Sequence, residues 1–543
     1  MAPFKASHGK PPRGLVSNPR STSFEGTFGR MFRTLPAARY ADDPAKEKEI
    51  LHKLAIEMIA DLEPFNKFNP VDLDDEENRG IPAGYTYLGQ FIDHDLTFDP
   101  ASSLQKLNDP DGLVDFRTPR FDLDNVYGRG PDDQPYLYEQ NVNGPDKKML
   151  LGNIINGDKN ARDLPRILRT TESQAPKDIA ARALIGDPRN DENLIVSQLQ
   201  AIFLRFHNLM ADILGDDASF EEIQKEVRWH YQWIVLHDFL PTIVGEEMVN
   251  SILPHLKLNT PIFENPPKLR YFNWREDPFM PVEFSVAAYR FGHSMVRPFY
   301  TMNQKSGFFR LFQGSAEEEG KETMVGFRAI PEKMAIDWDM YFNMSTSEGP
   351  KSKNRVQLSY KIDTSLSDPL GHLPPSVASV VPSLAERNLV RGLQMGLPSG
   401  QTVARHMGIV PIPDADLKIG KAIEIKKDTK EEDKPVAITA IDKAFADNAP
   451  LWVYILAEAS YYSNKLNEPG GKLSNDTTVR LGPVGGRIVA EVFIGLLWGD
   501  SHSFLYRDAT WKPRAEFKPS GEKFKMIDLI QYAQGKALAK VIP

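Results

Sequence analysis

Four polar side chains crowd into the stretch Gly89-Gln-Phe-Ile-Asp-His-Asp-Leu96, whose other residues are apolar and predict burial. On a helix, Gln90, Asp93 and His94 share one face because they fall at positions i, i+3 and i+4. Asp95 is rotated off that face and meets different neighbours. Burying a histidine and carboxylates costs free energy unless they are paired, ligated or used in chemistry. The fold must therefore supply partners for this octet.

Composition excludes several classes of function. Hydrophobic residues make up 41% of the 543 residues and charged residues 26%, as is usual for globular proteins. The mean hydropathy of −0.40 argues against a membrane span, and the net charge of −9 argues against nucleic-acid binding. The chain has no cysteine, so disulfides, thiolate metal sites and cysteine nucleophiles are excluded. No signal peptide is visible, so cytoplasmic residence is the default expectation and non-standard secretion stays open.

Apolar positions recur at helical spacing along most of the chain, and few stretches alternate as strands do. We therefore predict a mainly α fold with very little β structure. Residues 1–45 are predicted to be an irregular arm, residues 46–543 one large helical domain, and residues 421–435 a charged surface insertion within it. Helices are predicted over 44–62, 195–213, 227–244, 283–296, 452–462 and 486–498, with another beginning after the capping box Ser383-Leu-Ala-Glu386.

The stretch from Thr118 to Gly128 is rich in oxygen ligands. Side-chain oxygens at Thr118, Asp122 and Asp124, with the backbone carbonyl of Arg120 among them, alternate as in a calcium-binding loop. A polar surface turn has the same composition, and the stretch taken alone favours that simpler interpretation.

Three more pairs of polar residues recur at a spacing of three: Arg189 with Glu192, Arg290 with His293, and Asn388 with Arg391. Each residue taken singly has a structural explanation. His207, alone in an apolar helical stretch, is predicted to be structural rather than a ligand. Gly292 weakens the predicted helix 283–296, which predicts a close approach of another group at that point.

Together and in this order, Gln90-x-x-Asp-His94, Arg189-x-x-Glu192, Arg290-x-x-His293 and Asn388-x-x-Arg391 resemble the motifs of the animal-type (mammalian-like) haem peroxidases. This family belongs to the peroxidase–cyclooxygenase superfamily. The resemblance includes Asp238-Phe-Leu-Pro241 and Leu481-Gly-Pro-Val-Gly485, and a chain with no cysteine and no visible signal resembles the bacterial branch. It implies a mainly helical haem peroxidase that reduces hydrogen peroxide through an oxoferryl intermediate, as in a response to oxidative stress.

The resemblance also implies a role for each matching residue. His94 and Arg189 would be the distal catalytic pair, and Gln90 would bind water or substrate beside them. His293 would ligate the haem iron, and Asn388 would accept the proton on its second ring nitrogen. Arg290 and Arg391 would lie near haem, with Arg290 at a propionate. Asp93 and Glu192 match carboxylates that form ester links to haem b. The implied calcium ligands are Asp95, Thr118, Arg120 (through its carbonyl), Asp122 and Asp124.

The implied chemistry explains these residue types. A neutral imidazole binds iron through one nitrogen, and a hydrogen-bond acceptor on the other raises its basicity. On the open side, a neutral histidine takes a proton from hydrogen peroxide and returns it to the departing oxygen. A guanidinium stabilises the negative charge that develops as the O–O bond breaks. The expected partners are peroxide and small organic donors or the halides bromide and iodide, or thiocyanate.

Two departures limit the resemblance. Asn193 stands where myeloperoxidase has a methionine bonded to haem, so that bond cannot form and easy chloride oxidation is not expected. Arg290 stands where the related fatty-acid dioxygenases have a radical-forming tyrosine, and Tyr289 is predicted to point elsewhere because a helix turns about 100° per residue. A dioxygenase and a non-catalytic haem-containing interaction module remain the alternatives. Oligomeric state and the physiological donor stay open.

Overall fold

Helices dominate the part of the chain that the computed structural model describes, namely residues 28–65, 68–70, 74–97, 117–141, 144–155, 158–167, 182–275, 277–312, 322–342, 355–374, 378, 380–466, 477–517 and 523–535. In chain order the α-helices are α1 Pro44–Glu57, α2 Gly84–Leu96, α3 Asp124–Tyr127, α4 Leu194–Leu214, α5 Phe220–Ile234, α6 Leu240–Val244, α7 Glu246–Ile252, α8 Pro254–Leu258, α9 Val282–Ser285, α10 Asp339–Phe342, α11 Leu384–Gln394, α12 Gly400–His406, α13 Ile438–Ile441, α14 Leu451–Leu466, α15 Pro483–Gly499, α16 Phe504–Arg507 and α17 Met526–Ala533.

The strands among the described residues are short and form only two-stranded sheets. They are β1 Phe28–Gly29, β2 Glu77–Pro82, β3 Tyr138–Asn141, β4 Gly144–Met149, β5 Ile154–Ile155, β6 Asp158–Arg162, β7 Met280–Pro281, β8 Phe299–Thr301, β9 Phe308–Arg310, β10 Leu358–Tyr360, β11 Lys418–Ile419 and β12 Val436–Ala437. The pair β1–β7 is parallel, and the pairs β2–β10, β3–β4, β5–β6, β8–β9 and β11–β12 are antiparallel. The prediction of a mainly α fold is confirmed.

Helix α2, which carries the octet, packs against the long helix α4. Phe91 stacks on Phe203 of α4 with ring centroids 4.4 Å apart, and Tyr231 of α5 meets both rings edge-on. All three side chains are buried, and aromatic pairs in such geometries add to the stabilisation from burial. This contact fixes α2 along the core, so its polar residues are aimed by the packing of its apolar ones.

Helices α5 and α6 form one continuous rod that is interrupted by a π-helical turn over Val235–Phe239. Pro241 follows this turn and has no backbone N–H for helical hydrogen bonding, which is a common setting for such irregularities. Within the turn, Asp238 accepts hydrogen bonds from the Tyr85 hydroxyl (2.7 Å) and from the Met526 amide (2.9 Å). The motif Asp238-Phe-Leu-Pro241 therefore ties α2 to the N-terminus of α17.

Helices α14 and α15 meet where glycine permits it. A Cβ on Gly485 would lie 2.4 Å from Cγ2 of Ile455, so only glycine allows this approach. The buried carboxylate of Glu458 accepts hydrogen bonds from the amides of Val484 (2.9 Å) and Gly485 (3.0 Å). It thereby accepts from backbone N–H groups in the first turn of α15, where the N-cap residue Gly482 provides no side-chain hydrogen bond. The motif Leu481-Gly-Pro-Val-Gly485 is thus explained by packing and capping.

The N-terminal segment lies along the core from Phe28 onward, and residues 1–27 of the predicted arm lie outside the described residues. The buried carboxylate of Glu283 accepts hydrogen bonds from the amides of Met31 (3.0 Å) and Phe32 (3.2 Å). The predicted first helix is shorter than expected, since α1 ends at Glu57 rather than near residue 62.

Two local predictions are wrong. Residues 283–296 do not form one helix, because the short α9 is followed by a 3₁₀ turn over Ala288–His293 with Ala287 outside helical geometry between them. The capping box at Ser383 is only half formed. Ser383 accepts from the Glu386 amide (3.3 Å), but the Glu386 carboxylate binds His52 of α1 (3.0 Å) instead of turning back.

The residue before a proline disfavours helical backbone, so Asp99-Pro100 is expected to end the helix that carries the octet, but these residues lie outside the described ones. Among the helices that are described, none is both long and apolar enough to cross a membrane.

Candidate active site

A cavity of about 400 Å³ lies between α2, the turn before α4 and the segment around His293. Its size falls in the range of small-molecule and cofactor sites. Five of the predicted catalytic and haem-binding side chains line it on the α2 and α4 side, and two line it on the other segment. They are Gln90, Asp93, His94, Arg189 and Glu192, and Arg290 and His293. Residues far apart in sequence therefore converge on one space.

His94 is held in this cavity through one ring nitrogen. Its Nδ1 lies 2.6 Å from Oδ1 of Asn190, and its Nε2 lies 3.9 Å from the Glu192 carboxylate. Burial, and next the positive charge of Arg189, lower the pKa of His94 to about 3. The imidazole is therefore neutral near pH 7. Nδ1 is bonded to Asn190, and Nε2 is the other ring nitrogen of a side chain that lines the cavity.

Gln90 is held between two neighbours. Its amide nitrogen donates to the Glu192 carboxylate, and its oxygen accepts from Nδ2 of Asn193 at 3.2 Å. Asn193 also caps α4 by accepting from the amides of Ile195 and Val196. Burial is the largest influence on Glu192 and raises the pKa of its carboxyl to about 7. Asn193 thus makes two sets of polar contacts, one with Gln90 and one with the first turn of α4.

Arg189 lines the cavity while its guanidinium is tied to the buried Asp187. Nη2 lies 2.8 Å from Oδ2 of Asp187 and donates to the backbone carbonyls of His94 (3.1 Å) and Thr97 (2.5 Å). Asp187 also pairs with Arg117, which reaches on to Asp124 at 2.8 Å. Burial opposes the ionisation of Asp187, but the two guanidiniums hold its pKa below the ordinary value. These bonds fix Arg189 against the C-terminal end of α2.

His293 lines the cavity and has its Nδ1 2.8 Å from the side-chain nitrogen of Asn388. The prediction that Asn388 accepts a proton from this ring is not what the structure shows. Nη1 of Arg290 donates to Oδ1 of Asn388 at 2.8 Å, and a guanidinium cannot accept, so the amide turns its nitrogen toward His293. Burial, and next Arg290, lower the pKa of His293 to about 3, so its imidazole is neutral.

Tyr289 also lines the cavity, contrary to the prediction that it points elsewhere. Its ring stacks on Phe284 with centroids 4.8 Å apart, and its hydroxyl donates to the Gly89 carbonyl at 3.1 Å. The prediction assumed a regular α-helix, whereas the backbone here is a 3₁₀ turn. Tyr289 therefore joins the His293 segment to α2.

Three further predicted residues have separate surroundings. Asp93 lines the cavity and accepts from Oγ1 of Thr97 (3.3 Å), and burial raises its pKa. Arg391 is not among the lining residues. The burial of Arg290 lowers the pKa of Arg290, and the positive charge of Arg391 lowers it further. Gly292 lines the cavity, and nothing among the described residues lies within 4 Å of the space for a Cβ. The protein itself makes no close approach at Gly292, contrary to prediction.

The carboxylates of Asp95, Asp122 and Asp124 each offer one oxygen to a cluster in which these atoms lie within 4.8 Å of one another. Both oxygens of Asp95 are buried without a hydrogen-bond partner among the described residues. Thr118 adjoins the cluster, since its hydroxyl donates to Asp122 at 2.6 Å. Burial, and next Asp124, raise the pKa of Asp122 to about 6. Three buried carboxylates, with both oxygens of Asp95 lacking a hydrogen-bond partner among the described residues, are the chemistry that a Ca²⁺ ion satisfies.

Arg120, the predicted carbonyl ligand, is buried in the same loop, and its side chain lies 3.7 Å from Asp500. His207 lies away from the cavity lining. Its Nδ1 bonds the Tyr127 hydroxyl at 3.0 Å and its Nε2 bonds the Lys147 carbonyl at 2.7 Å, as expected of a structural histidine.

Sequence reasoning missed four residues that hold the site together. Asn190 and Asp187 flank Arg189 and were left unspecified, although a buried pair of polar residues beside an arginine was a usable signal. Arg117 directly precedes the predicted calcium loop. Trp452 of α14 donates from Nε1 to the Arg290 carbonyl at 3.2 Å, and nothing in its apolar surroundings singled it out.

The family model described as animal haem peroxidase matches residues 104–399, more than half of the chain. The chain belongs to the animal haem peroxidase family. Membership implies a haem-dependent oxidoreductase. The matched region contains Arg189, Glu192, His293 and Asn388 but begins after α2, so the role of His94 rests on its motif and its place in the cavity.

Relatives of this haem peroxidase family member are distant. It is 25% identical over 238 residues to dual oxidase from Drosophila melanogaster, which is 42% of this chain and 13% of that protein. It is 30% identical over 122 residues to thyroid peroxidase from Homo sapiens, which is 21% of this chain and 12% of that protein. The chain thus spans less than a fifth of the length of these curated relatives.

Solved structures of two enzyme classes share the fold of this family member. Peroxidase A from Dictyostelium discoideum aligns over 96% of this chain and 95% of its own with a TM-score of 0.56 and 17% identity. The fatty acid alpha-dioxygenase of Arabidopsis thaliana aligns over 98% of this chain and 84% of its own with the same TM-score and 15% identity. The fold alone therefore does not separate a peroxidase from a dioxygenase.

Proposed function

We propose that this chain is a haem peroxidase of the bacterial branch that reduces hydrogen peroxide and oxidises small donors. The observation that carries the proposal is one cavity lined by a neutral His94 and by Arg189 on one side and by a neutral His293 on the other. Haem held there by His293 would supply the redox chemistry that peroxide reduction needs. The fit is supported by the open space at Gly292 and by two neutral imidazoles facing one cavity.

On the distal side, His94 is proposed to take a proton from hydrogen peroxide at Nε2 and to return it to the leaving oxygen. A neutral imidazole is the form that accepts a proton, and its lowered pKa keeps it in that form. Arg189 is proposed to stabilise the negative charge that develops beside His94, since a guanidinium stays protonated. Its bonds to Asp187 preorganise it for this task.

On the other side, His293 is proposed as the iron ligand, supported by Asn388 and Arg290. The bond between Arg290 and Asn388 couples the orientation of the amide to a guanidinium that is also proposed to meet a haem propionate. Movement of Arg290 to a propionate would free Oδ1 of Asn388, and the amide could then turn to accept from the ring.

We also propose at least one ester link between the chain and haem. Asp93 and Glu192 both line the cavity, and the pKa of each is raised by burial. Extraction of the holoprotein with acidified acetone tests this, because an ester-linked haem stays with the protein pellet. Asp93→Ala and Glu192→Ala, alone and combined, identify which carboxylate carries the link.

The carboxylate cluster is proposed to bind Ca²⁺ through Asp95, Thr118, Asp122, Asp124 and the carbonyl of Arg120. The support is the pair of buried oxygens on Asp95, which have no hydrogen-bond partner among the described residues and which a divalent cation would satisfy. Because Asp95 follows His94 directly, the ion would hold α2 in place from the side that faces away from the cavity.

The proposed donors are small organic molecules, bromide, iodide and thiocyanate. Asn193 cannot form the sulfonium bond of a methionine, and its amide is engaged with Gln90 and the first turn of α4. Easy chloride oxidation is therefore not proposed. Turnover measured with a phenolic donor, thiocyanate, bromide, iodide and chloride tests this proposal, and chloride should be the poorest donor.

Fatty-acid dioxygenation is the second candidate, because Tyr289 lines the cavity next to the position where dioxygenases carry their radical-forming tyrosine. The candidates separate on one measurement with the holoprotein. Peroxide-dependent oxidation of a phenolic donor supports the peroxidase, whereas oxygen uptake with a fatty acid, abolished in Tyr289→Phe, supports the dioxygenase.

The peroxidase proposal is tested with stopped-flow mixing of the holoprotein and hydrogen peroxide. We expect a rapid change in the haem spectrum, slowed in His94→Ala and Arg189→Ala although both retain haem. His293→Ala should lose haem or change its ligation. His207→Ala is the matched control, a buried histidine outside the cavity, and should react as the wild type does. A result in which His207→Ala abolishes the reaction and His94→Ala preserves it contradicts the assignment.

A further inference from the structure

The side chain of Asn190 connects His94 to the interior of α4. Its Oδ1 lies 2.6 Å from Nδ1 of His94, and its Nδ2 donates to Oε1 of Gln200 at 2.8 Å. Asn190 and Gln200 are fully buried and His94 is 5% exposed. Such a chain of short bonds in a buried setting is stronger and more rigid than the same bonds in water.

With both amides oriented as they are in the structure, these two bonds assign the proton of His94 to one ring nitrogen. The nitrogen of Asn190 is used as a donor to Gln200, so its oxygen is the atom that faces the imidazole. An amide oxygen only accepts, and therefore Nδ1 of His94 must donate. In a neutral imidazole with its proton on Nδ1, Nε2 keeps its lone pair.

We propose that Asn190 is a positioning residue that fixes both the tautomer and the ring orientation of His94, so that Nε2 presents a lone pair to an incoming hydroperoxide. The inference rests on the proposed function, because it assumes that His94 is the group that accepts the proton. Asn190 touches neither the cavity nor the reacting atoms, and it acts only through His94.

The backbone at His94 is held separately from its ring. Arg189 donates to the His94 carbonyl at 3.1 Å and to the Thr97 carbonyl at 2.5 Å, and these bonds anchor the end of α2. The turn around Asn190 is likewise held by its backbone amide, which bonds the Asp187 carbonyl at 3.1 Å. Removing the Asn190 side chain should therefore free the imidazole ring without displacing α2 or the turn.

The test is a double-mutant cycle on the holoprotein with two readouts. One is the second-order rate of the spectral change with hydrogen peroxide. The other is the association rate of hydrogen cyanide with the ferric protein, since this acid also gives up a proton as it binds. Asn190→Ala should slow both by about 10- to 100-fold, a part of what a positioned proton acceptor contributes. Asn190→Asp, which still accepts from Nδ1, should stay within about threefold of the wild type.

In the His94→Ala background, Asn190→Ala should cause no further loss, because residues that act as one unit are not additive. Asn208→Ala is the matched control. Asn208 is a buried asparagine of α4 that bonds the Met149 backbone through both its amide oxygen and its amide nitrogen, and its variant should react at the wild-type rate. Asn190→Ser, whose hydroxyl is too short to reach the ring, replaces Asn190→Ala if the alanine variant does not fold.

Two outcomes overturn the inference: wild-type rates in Asn190→Ala, or a loss that persists in full without the His94 side chain. A wild-type holoprotein that does not react with peroxide refutes the proposed function instead. The cyanide readout still judges Asn190 in that event, because it does not depend on turnover.

Discussion

At the scale of single residues, each histidine of the cavity has its Nδ1 bonded to a buried asparagine, but in opposite senses. His94 has its Nδ1 bonded to Asn190 and His293 has its Nδ1 bonded to Asn388, at 2.6 and 2.8 Å. Each asparagine is in turn held by a second partner, Gln200 or Arg290. Nδ1 of His94 faces an amide oxygen, so Nε2 of His94 keeps its lone pair. Nδ1 of His293 faces an amide nitrogen, so in this structure the neutral His293 ring carries its proton on Nε2.

The first prediction concerns Asn388. Replacing it with alanine removes the polar partner of His293 while leaving the imidazole in place. We expect haem affinity to fall by about 10- to 100-fold, the usual effect of losing the group that orients a metal ligand. Transfer of haem to an excess of apomyoglobin measures this in the Asp93→Ala/Glu192→Ala background, where neither proposed ester link can form. Asn208→Ala, remote from the cavity, should release haem no faster than that background does.

The second prediction concerns Asp187, which is buried between Arg117 and Arg189. Asp187→Asn keeps the shape but removes the charge that holds both guanidiniums. We expect slower reaction with peroxide and retained haem, because Arg189 loses its preorganisation. The unfolding free energy should fall by about 3–5 kcal/mol, as when one partner of a buried ion pair is removed. An unchanged peroxide rate would show that other contacts position Arg189.

The sequence predicted many of the side chains that line the cavity but not the orientation of the amides that hold its two histidines. His94, Arg189 and His293 were identified because their ordered motifs resemble those of the animal-type haem peroxidases. The orientation of Asn388 could not be predicted, because it depends on a bond to Arg290 and not on spacing. The importance of Asn190 was missed for the same reason, since its partner Gln200 lies ten positions further along a helix that reads as apolar.

At the scale of elements, α2 serves two sites through adjacent residues. His94 faces the cavity, and Asp95 points into the carboxylate cluster that also contains Asp122 and Asp124. Since consecutive residues on a helix differ by about 100°, one rigid element can serve both sites at once. The position of His94 therefore depends on how the negative charge of the cluster Asp95, Asp122 and Asp124 is compensated.

The third prediction follows from this arrangement. Adding Ca²⁺ to chelator-treated protein should raise its stability, by about 2.7 kcal/mol at a concentration a hundred times the dissociation constant. Asp95→Asn should abolish most of this gain, because Asp95 brings two oxygens that have no other partner. Thermal unfolding with and without calcium measures it. Asp428→Asn, at an exposed carboxylate in the charged insertion, should respond to calcium as the wild type does.

Element boundaries were predicted well where apolar periodicity alone decides them, as for α4, whose bounds Leu194–Leu214 lie within one residue of the predicted 195–213. They were predicted poorly where tertiary contacts override it. The segment 283–296 has helical periodicity, but Arg290 bonds the Ser285 carbonyl and Asn388, and Tyr289 bonds Gly89. These contacts favour a short α-helix followed by a 3₁₀ turn, and they bring Tyr289 into the cavity.

At the scale of the whole molecule, buried histidines make stability depend on pH. Burial lowers the pKa of His207 and of His230 from the ordinary value of 6.5 to about 4 in each case. Between these values the unfolded chain binds a proton at each site and the folded chain does not. The stability these groups contribute is therefore present above pH 6.5 and is lost as the pH falls toward 4.

The fourth prediction is the slope of that loss. Near pH 5 each of the two histidines should lower the unfolding free energy by about 1.4 kcal/mol per pH unit of acidification. His207→Gln should reduce the slope by the contribution of one histidine, about 1.4 kcal/mol per pH unit. Denaturant unfolding of both proteins at pH 5 and pH 7 measures it. Equal slopes in the two proteins would show that His207 is protonated in the folded state.

The bond between the Tyr289 hydroxyl and the Gly89 carbonyl joins residues 200 positions apart, and Arg290 reaches almost a hundred positions further to Asn388. During synthesis, the first wall of the cavity leaves the ribosome long before the second. A nascent chain that has not yet extended past α11 has no Asn388 to support His293. Under the proposed function, stable haem capture is therefore expected only after most of the polypeptide has been made.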